Sequence, residues 1–228
     1  MKRIAIIPAR GGSKRLPRKN IIDFLGKPII AYTIEAALQT SVFDRVIVST
    51  EDTEIAEVAI RFGAQVSKRP ASLATDASTV VEVCSDLLER EKADGRIYDI
   101  LCCLYATAPL RTSKDIINTL QLLEDDNCDS AMALTNYHFP PHQALKLDKF
   151  QNLIPVWLDM INMKSQEVPD FLVDNGSTYA INVAIFKEKK SFLGDHLKGY
   201  IMPRIRSVDI DTQEDLDLAY IFFGRDVQ

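Results

Sequence analysis

The sequence predicts an α/β fold: a doubly wound, mostly parallel sheet with helices on both faces and one inserted arm. Three observations carry that expectation. Strand-like and helix-like runs alternate at βαβ spacing from Arg3 to Thr135. Runs such as "RVIVST" are apolar almost throughout, as a strand covered on both faces must be. The rhythm then breaks at about Asn136 and later resumes.

Taken in order, "RIAIIPA" is the first strand and "KPIIAYTIEAALQT" a Pro-initiated helix with Ile30, Ile34 and Ala37 on one stripe. "RVIVST" is followed by "EDTEIAEVAIRFG", where Ile55, Ala59 and Phe62 share a face and Gly63 suits the position after the helix. "AQVSKR", "STVVEVCSDLLEREK", "YDILCCLYA", "SKDIINTLQLLEDD" and "CDSAMALT" continue the alternation as strand, helix, strand, helix, strand. The segment 136–177 is rich in proline and weak in periodicity, as expected of an inserted arm or lid. Its Trp157, Leu158, Met160, Ile161 and Met163 form an apolar patch better explained by a second subunit than by solvent, which predicts a homodimer. "STYAINVAIF" reads as a returning strand. "SVDID" alternates, with Asp209 and Asp211 on one face, and Thr212 with Asp215 starts a closing helix. Leu216, Ala219, Tyr220 and Phe223 are expected to pack that helix on the sheet.

Composition excludes several classes. The 228 residues, 46% hydrophobic and 26% charged, are those of one globular domain spanning 1–228. No apolar run approaches the roughly 20 residues that span a bilayer. The apolar stretch after Met1-Lys2-Arg3 stops at Pro8, too short for a signal peptide, so a cytoplasmic protein with no membrane partner is expected. Four cysteines form no metal spacing, and the adjacent Cys102 and Cys103 must face opposite sides of a strand.

The loop "RGGSKRLPRK" gathers five cations around two glycines in a chain of net charge -5. It directly follows the first strand, where open parallel sheets bind ligands. Gly11 and Gly12 allow backbone N–H groups close to an anion, and Arg10, Lys14 and Lys19 supply countercharge. The spacing fits neither G-x-x-x-x-G-K-[ST] nor G-x-G-x-x-G. A solvated basic turn is one alternative. Nucleic-acid contact is disfavoured by the acidic total and by the lack of a further basic, aromatic-interleaved surface. A polyphosphate ligand fits best. Such ligands generally bring magnesium, for which Asp209 and Asp211 are candidates; equally, one of the two faces solvent or helps cap the closing helix.

The string "IIPARGGSKRLPRKN" resembles the first motif of the acylneuraminate cytidylyltransferases, the family of CMP-sialic acid synthetases. "RVIVSTED", "RPASLATDAST", "LYATAPLR", "DNGSTYAI" and "RSVDIDTQEDLDLA" resemble later motifs in the same order, from Ile6 to Ala219. The resemblance implies a Rossmann-like nucleotidyltransferase core and transfer of CMP from CTP to a 2-keto-3-deoxy sugar acid. It implies a nucleotide site of Ala9, Arg10, Gly11, Gly12, Ser13, Lys14, Lys19, Asn20 and Ser78. Asp209 and Asp211 would hold Mg2+, and Arg10, Lys19 and Asp211 would be catalytic. On the sugar side it implies Tyr105, Lys164, Gln166, Asn175 and Tyr179, with the arm crossing to a second subunit.

Two departures bear on the sugar. Sialic acid enzymes usually read "LQPTSPLR", whereas Tyr105 stands here at the glutamine position, as in the pseudaminic acid branch; a phenol cannot copy both polar ends of an amide. Lys164 replaces a common arginine, giving a point charge in place of a fork. His138 and His142 lie in the arm, where packing or surface roles suffice. The expected substrate is a nonulosonate such as pseudaminic, legionaminic or N-acetylneuraminic acid. A 3-deoxy-octulosonate enzyme and a silent nucleotide-binding protein are the alternatives.

Overall fold

The computed structural model describes residues 1–164 and 166–226. Seven strands form one sheet: β1 (Arg3–Pro8), β2 (Arg45–Thr50), β3 (Gln65–Lys68), β4 (Ile100–Leu104), β5 (Ser130–Asn136), β6 (Leu172–Asn182) and β7 (Leu197–Ile201). Their order across the sheet is β7-β5-β6-β4-β1-β2-β3. Only β6 runs antiparallel to its neighbours; the register places Tyr179 opposite Cys103 and, on the other side, Met132.

Four of the described helices begin where a side chain satisfies free backbone N–H groups, whereas the first has no side-chain cap. α1 (Ile29–Gln39) follows Pro28. Asp52 caps α2 (Thr53–Arg61) by accepting from the Ile55 amide at 3.0 Å. Reciprocal boxes open α3 (Val80–Ala93) through Thr79 and Glu82, and α4 (Ser113–Gln121) through Thr112 and Asp115. Thr212 and Asp215 do the same for α6 (Gln213–Asp226), the amide of Thr212 donating to Asp215 at 2.8 Å.

The sheet is covered on both faces. Ile30 and Ile34 of α1, Ile55 and Val58 of α2 and Ile116 of α4 pack on Ala5, Ile7, Val48 and Cys102. Cys84 and Leu87 of α3 pack on the opposite face with Ile4, Ile6, Leu101 and Cys103. The adjacent cysteines thus enter different cores, and all four cysteines are free and buried. No described helix is long and apolar enough to cross a membrane.

Several expectations need correction. The run "STYAINVAIF" is not all strand: β6 ends at Asn182 and Val183–Lys189 forms α5. A short apolar run does not by itself separate a buried strand from a buried helix turn. The edge strand β7 was not anticipated; it is five residues long with Gly199 at its centre. "SVDID" joins no strand, and Ile210 makes a single sheet-like bond, its amide donating to the Thr107 carbonyl at 2.9 Å. Its alternation survives nonetheless, Val208 and Ile210 being buried. The closing helix packs away from the sheet: Leu216 and Ala219 join Val208, Ile210, Leu16, Phe24, Ile29 and Leu110 in a third cluster. The excursion is also shorter than 136–177. Leu172 already pairs with Asn136, so residues 172–177 belong to β6. Between the two strands the chain makes a small hairpin, Leu145–Leu147 with Leu153–Pro155.

Candidate active site

β1 and β4 are neighbours, yet the chain leaves β1 toward β2 and β3 before returning to β4. Such a reversal opens a crevice at the carboxyl ends of the strands. A cleft of about 270 Å³ lies there. Arg10, Ser13, Lys14, Arg15, Lys19 and Asn20 line it from the loop after β1, and Tyr105, Ala106 and Thr107 from the end of β4. Asp76, Ser78 and Thr79 close one side and Asp211 the other.

The basic loop is braced from within. Asn20 is buried and donates from Nδ2 to the Arg10 carbonyl at 2.8 Å. The Ser13 amide donates to the Gly11 carbonyl at 3.1 Å. Gly11 is needed for close approach, because a Cβ there would collide with the Asp52 carboxylate. Its amide is already engaged, donating to Glu51 Oε1 at 2.8 Å, so it does not point freely into the cleft as expected. A Cβ on Gly12 would meet open space. Ala9 is fully buried in the core and presents no side chain to the cleft.

Acidic groups from distant elements meet these cations. Arg10 Nη1 lies 2.6 Å from Asp76 Oδ1, and Lys14 pairs with the other oxygen of Asp76. Lys19 Nζ and Arg15 Nη2 each lie 2.5 Å from an oxygen of Asp211. Arg18 turns away to Asp52 and Glu54. Burial pushes the Asp211 carboxyl up, but the Lys19 hydrogen bond and charge, with Arg15, carry it below the usual range. Asp209 behaves oppositely. Burial dominates and raises its carboxyl to about 6, against a hydrogen bond from Thr107 Oγ1 at 2.5 Å. Gly176, at φ +65°, lies so close that a Cβ would sit 2.7 Å from Asp209 Oδ2. Among the described residues no group of three or more His, Cys, Asp or Glu side chains gathers around a common point.

The expected sugar-side residues separate. Tyr105 lines the cleft and packs at a tilt against Tyr179, ring centroids 5.3 Å apart and planes 46° to each other. The Tyr179 hydroxyl donates to Asp174 at 2.8 Å, and burial raises both phenols above the ordinary range. Asn175 is buried and turned toward the tail, donating to Ser207 Oγ at 3.1 Å. Lys164 and Gln166 are exposed on the arm and do not line this cleft. Ser78 does line it, its hydroxyl donating to the Ser72 carbonyl at 3.2 Å.

Sequence reasoning missed three contributors. Arg69, just past β3, is buried at the cleft wall and donates from Nη2 to the Ser49 carbonyl at 2.7 Å. Its place at a strand's carboxyl end was the available signal. Thr107 positions Asp209, and Asp76 faces the outer cations. Both lie inside recognisable motifs, Asp76 in "RPASLATDAST" and Thr107 in "LYATAPLR", but neither string shows which residue its side chain meets across the chain.

The switch-point cleft and its basic loop are those of an α/β protein that handles a phosphorylated ligand. The chain belongs to the cytidylyltransferase family, whose model matches residues 4–171. It is 36% identical over 224 residues to a pseudaminic acid cytidylyltransferase of Campylobacter jejuni, covering 98% of this chain and 97% of the relative. It is 35% identical to a CMP-N,N'-diacetyllegionaminic acid synthase of Legionella pneumophila, over 96% and 95% of the two chains. It is 34% identical to an N-acylneuraminate cytidylyltransferase of Escherichia coli, over 96% of this chain and 51% of that protein. A solved CMP:2-keto-3-deoxy-manno-octonic acid synthetase complexed with CTP superposes with TM-score 0.72 at 19% identity, covering 99% of this chain and 100% of that one. That likeness shows the shared fold.

Proposed function

We propose that this protein transfers CMP from CTP to the anomeric hydroxyl of an acidic nonulosonate sugar, releasing pyrophosphate. One observation carries the reading: the loop after β1 and Asp211, far apart in sequence, face each other across the switch-point cleft through Lys19 and Arg15. Arg10, Lys14 and Lys19 suit the triphosphate, with Ser13 and the open side of Gly12 beside it. The sugar hydroxyl attacks the α-phosphorus and pyrophosphate leaves. Alignment and charge neutralisation then supply most of the catalysis. Arg10 and Lys19 offset the charge that grows on the departing group. Asp211 stays charged beside Lys19 and Arg15 and would orient both cations toward the phosphates.

Asp209 and Asp211 also suit a hard divalent cation: among the described residues no cation lies at hydrogen-bond distance from the buried Asp209, and Asp211 would exchange Lys19 or Arg15 for the metal. Magnesium held there would supply charge neutralisation for phosphate oxygens.

A pseudaminate-type sugar is the favoured substrate, supported by Tyr105 in the cleft and by relatives of that name at 36% and 37% identity. The arm supports a homodimer: Phe139, Phe150 and Leu158 are more than 70% exposed, as a surface awaiting a second copy would be. Lys164 and Gln166 would reach a sugar site through that second copy. Free, buried cysteines suit a reducing cytoplasm.

The test is pyrophosphate release with CTP, or ATP in its place, and a panel of pseudaminate, legionaminate, N-acetylneuraminate and 3-deoxy-octulosonate. Release with CTP and one nonulosonate is expected. Release only with 3-deoxy-octulosonate would move the substrate to the shorter acid. Release with none of the four would count against the proposed activity.

A further inference from the structure

The outer cations of the cleft have a resident anion. Asp76 Oδ1 accepts from Arg10 Nη1 at 2.6 Å, while Lys14 holds its second oxygen. All three line the cleft that the nucleotide reading assigns to the triphosphate. The carboxylate sits on a short turn that is anchored rather than loose. The Ser78 amide donates to the Thr75 carbonyl at 3.3 Å, and Thr79 begins the reciprocal cap of α3. The pair is nevertheless wet, with the Asp76 side chain 50% and the Lys14 side chain 79% exposed. Half-exposed ion pairs exchange partners at small cost. Lys19 is different: its side chain is only 17% exposed, and its partner Asp211 belongs to the opposite wall.

A phosphate group entering between Arg10 and Lys14 must therefore replace a carboxylate already there. We propose that Asp76 is a built-in competitor for the nucleotide's terminal phosphates, weakening the hold on pyrophosphate so that it leaves after transfer. This rests on the triphosphate reading of the cleft. Ligands that reach Arg10 and Lys14, CTP and pyrophosphate, contend with Asp76. CMP, which lacks the β- and γ-phosphates, does not.

The test compares wild type with Asp76→Asn, which keeps the shape and removes the charge. Asp126→Asn, on an exposed turn remote from the cleft, controls for net charge. Isothermal titration with CTP, pyrophosphate and CMP is the readout, with thermal melting to verify folding. Asp76→Asn is expected to bind CTP and pyrophosphate about 3- to 10-fold more tightly at low salt, with CMP unchanged. Pyrophosphate should also inhibit turnover more strongly, and the gap should close near 1 M salt. Equal or weaker binding of CTP and pyrophosphate by a folded Asp76→Asn, with wild type binding both, would overturn the competitor alone. Wild-type protein that binds neither would overturn the triphosphate reading and the competitor with it.

Discussion

Lys19 Nζ lies 2.5 Å from Asp211 Oδ1, although the two residues are 192 positions apart. The contact is held by apolar packing behind it. Leu16, three residues before Lys19, is buried in one cluster with Val208 and Ile210, which flank the carboxylates Asp209 and Asp211. The basic and acidic walls of the cleft are thus mounted on a shared core.

Truncating that core should loosen the site as well as the fold. Leu16→Ala is expected to cost about 2–4 kcal/mol, as large-to-small changes at buried positions do. Chemical denaturation measures the loss. The KM for CTP should rise in the same variant, whereas Ile60→Ala, on an exposed face of α2, should change neither.

Asp209 should trade stability for function. Its carboxyl, raised to about 6 by burial, is above the value of about 3.9 expected in the unfolded chain. Folding therefore favours the protonated form, so ionisation costs stability above pH 6 and the cost disappears as pH falls toward 4. Asp209→Asn should melt a few degrees higher than wild type at pH 8, a gain on the order of 1–2 kcal/mol. The gain should vanish by about pH 4, while turnover falls at least about 10-fold. Melting curves across pH and rates at pH 8 check both.

Glu91 is a purely structural counterpart. Burial pushes its carboxyl up, but donors on Arg96, Tyr98 and Arg45 outweigh this and hold it at about 2. A depressed carboxylate stabilises above its unfolded value and loses that contribution as pH falls toward 2. Glu91→Gln should cost about 1–3 kcal/mol at pH 7. The gap to wild type should narrow below about pH 4.5, read by urea midpoints at several pH values.

Tyr105 should govern the sugar and leave the nucleotide alone. It lines the cleft against Tyr179, whose hydroxyl is committed to Asp174. Tyr105→Gln should raise kcat/KM for N-acetylneuraminate relative to pseudaminate by about 10-fold, with the KM for CTP within roughly two-fold. Parallel rates on the two acids decide it.

What the sequence disclosed was what is local. The alternating strands and helices and the cations after β1 are short-range patterns, and each has its counterpart in the fold. Partnerships across the chain were not legible: Asp76 with Arg10, Thr107 with Asp209 and the third apolar cluster all depend on topology. Asn175 shows the limit from the other side. Its motif was visible, but the bulge between Asp174 and Tyr179 turns its side chain toward Ser207. An irregular strand breaks the alternation from which facing is read.

The most direct test of the cleft's role is pyrophosphate release from CTP and pseudaminate by wild type beside Lys19→Met. Lys19 is mostly shielded and its loss removes charge from the departing group, so turnover should fall about 100-fold or more in a folded variant. Near-wild-type turnover in Lys19→Met would contradict this, and would place the phosphate chemistry somewhere other than the loop after β1.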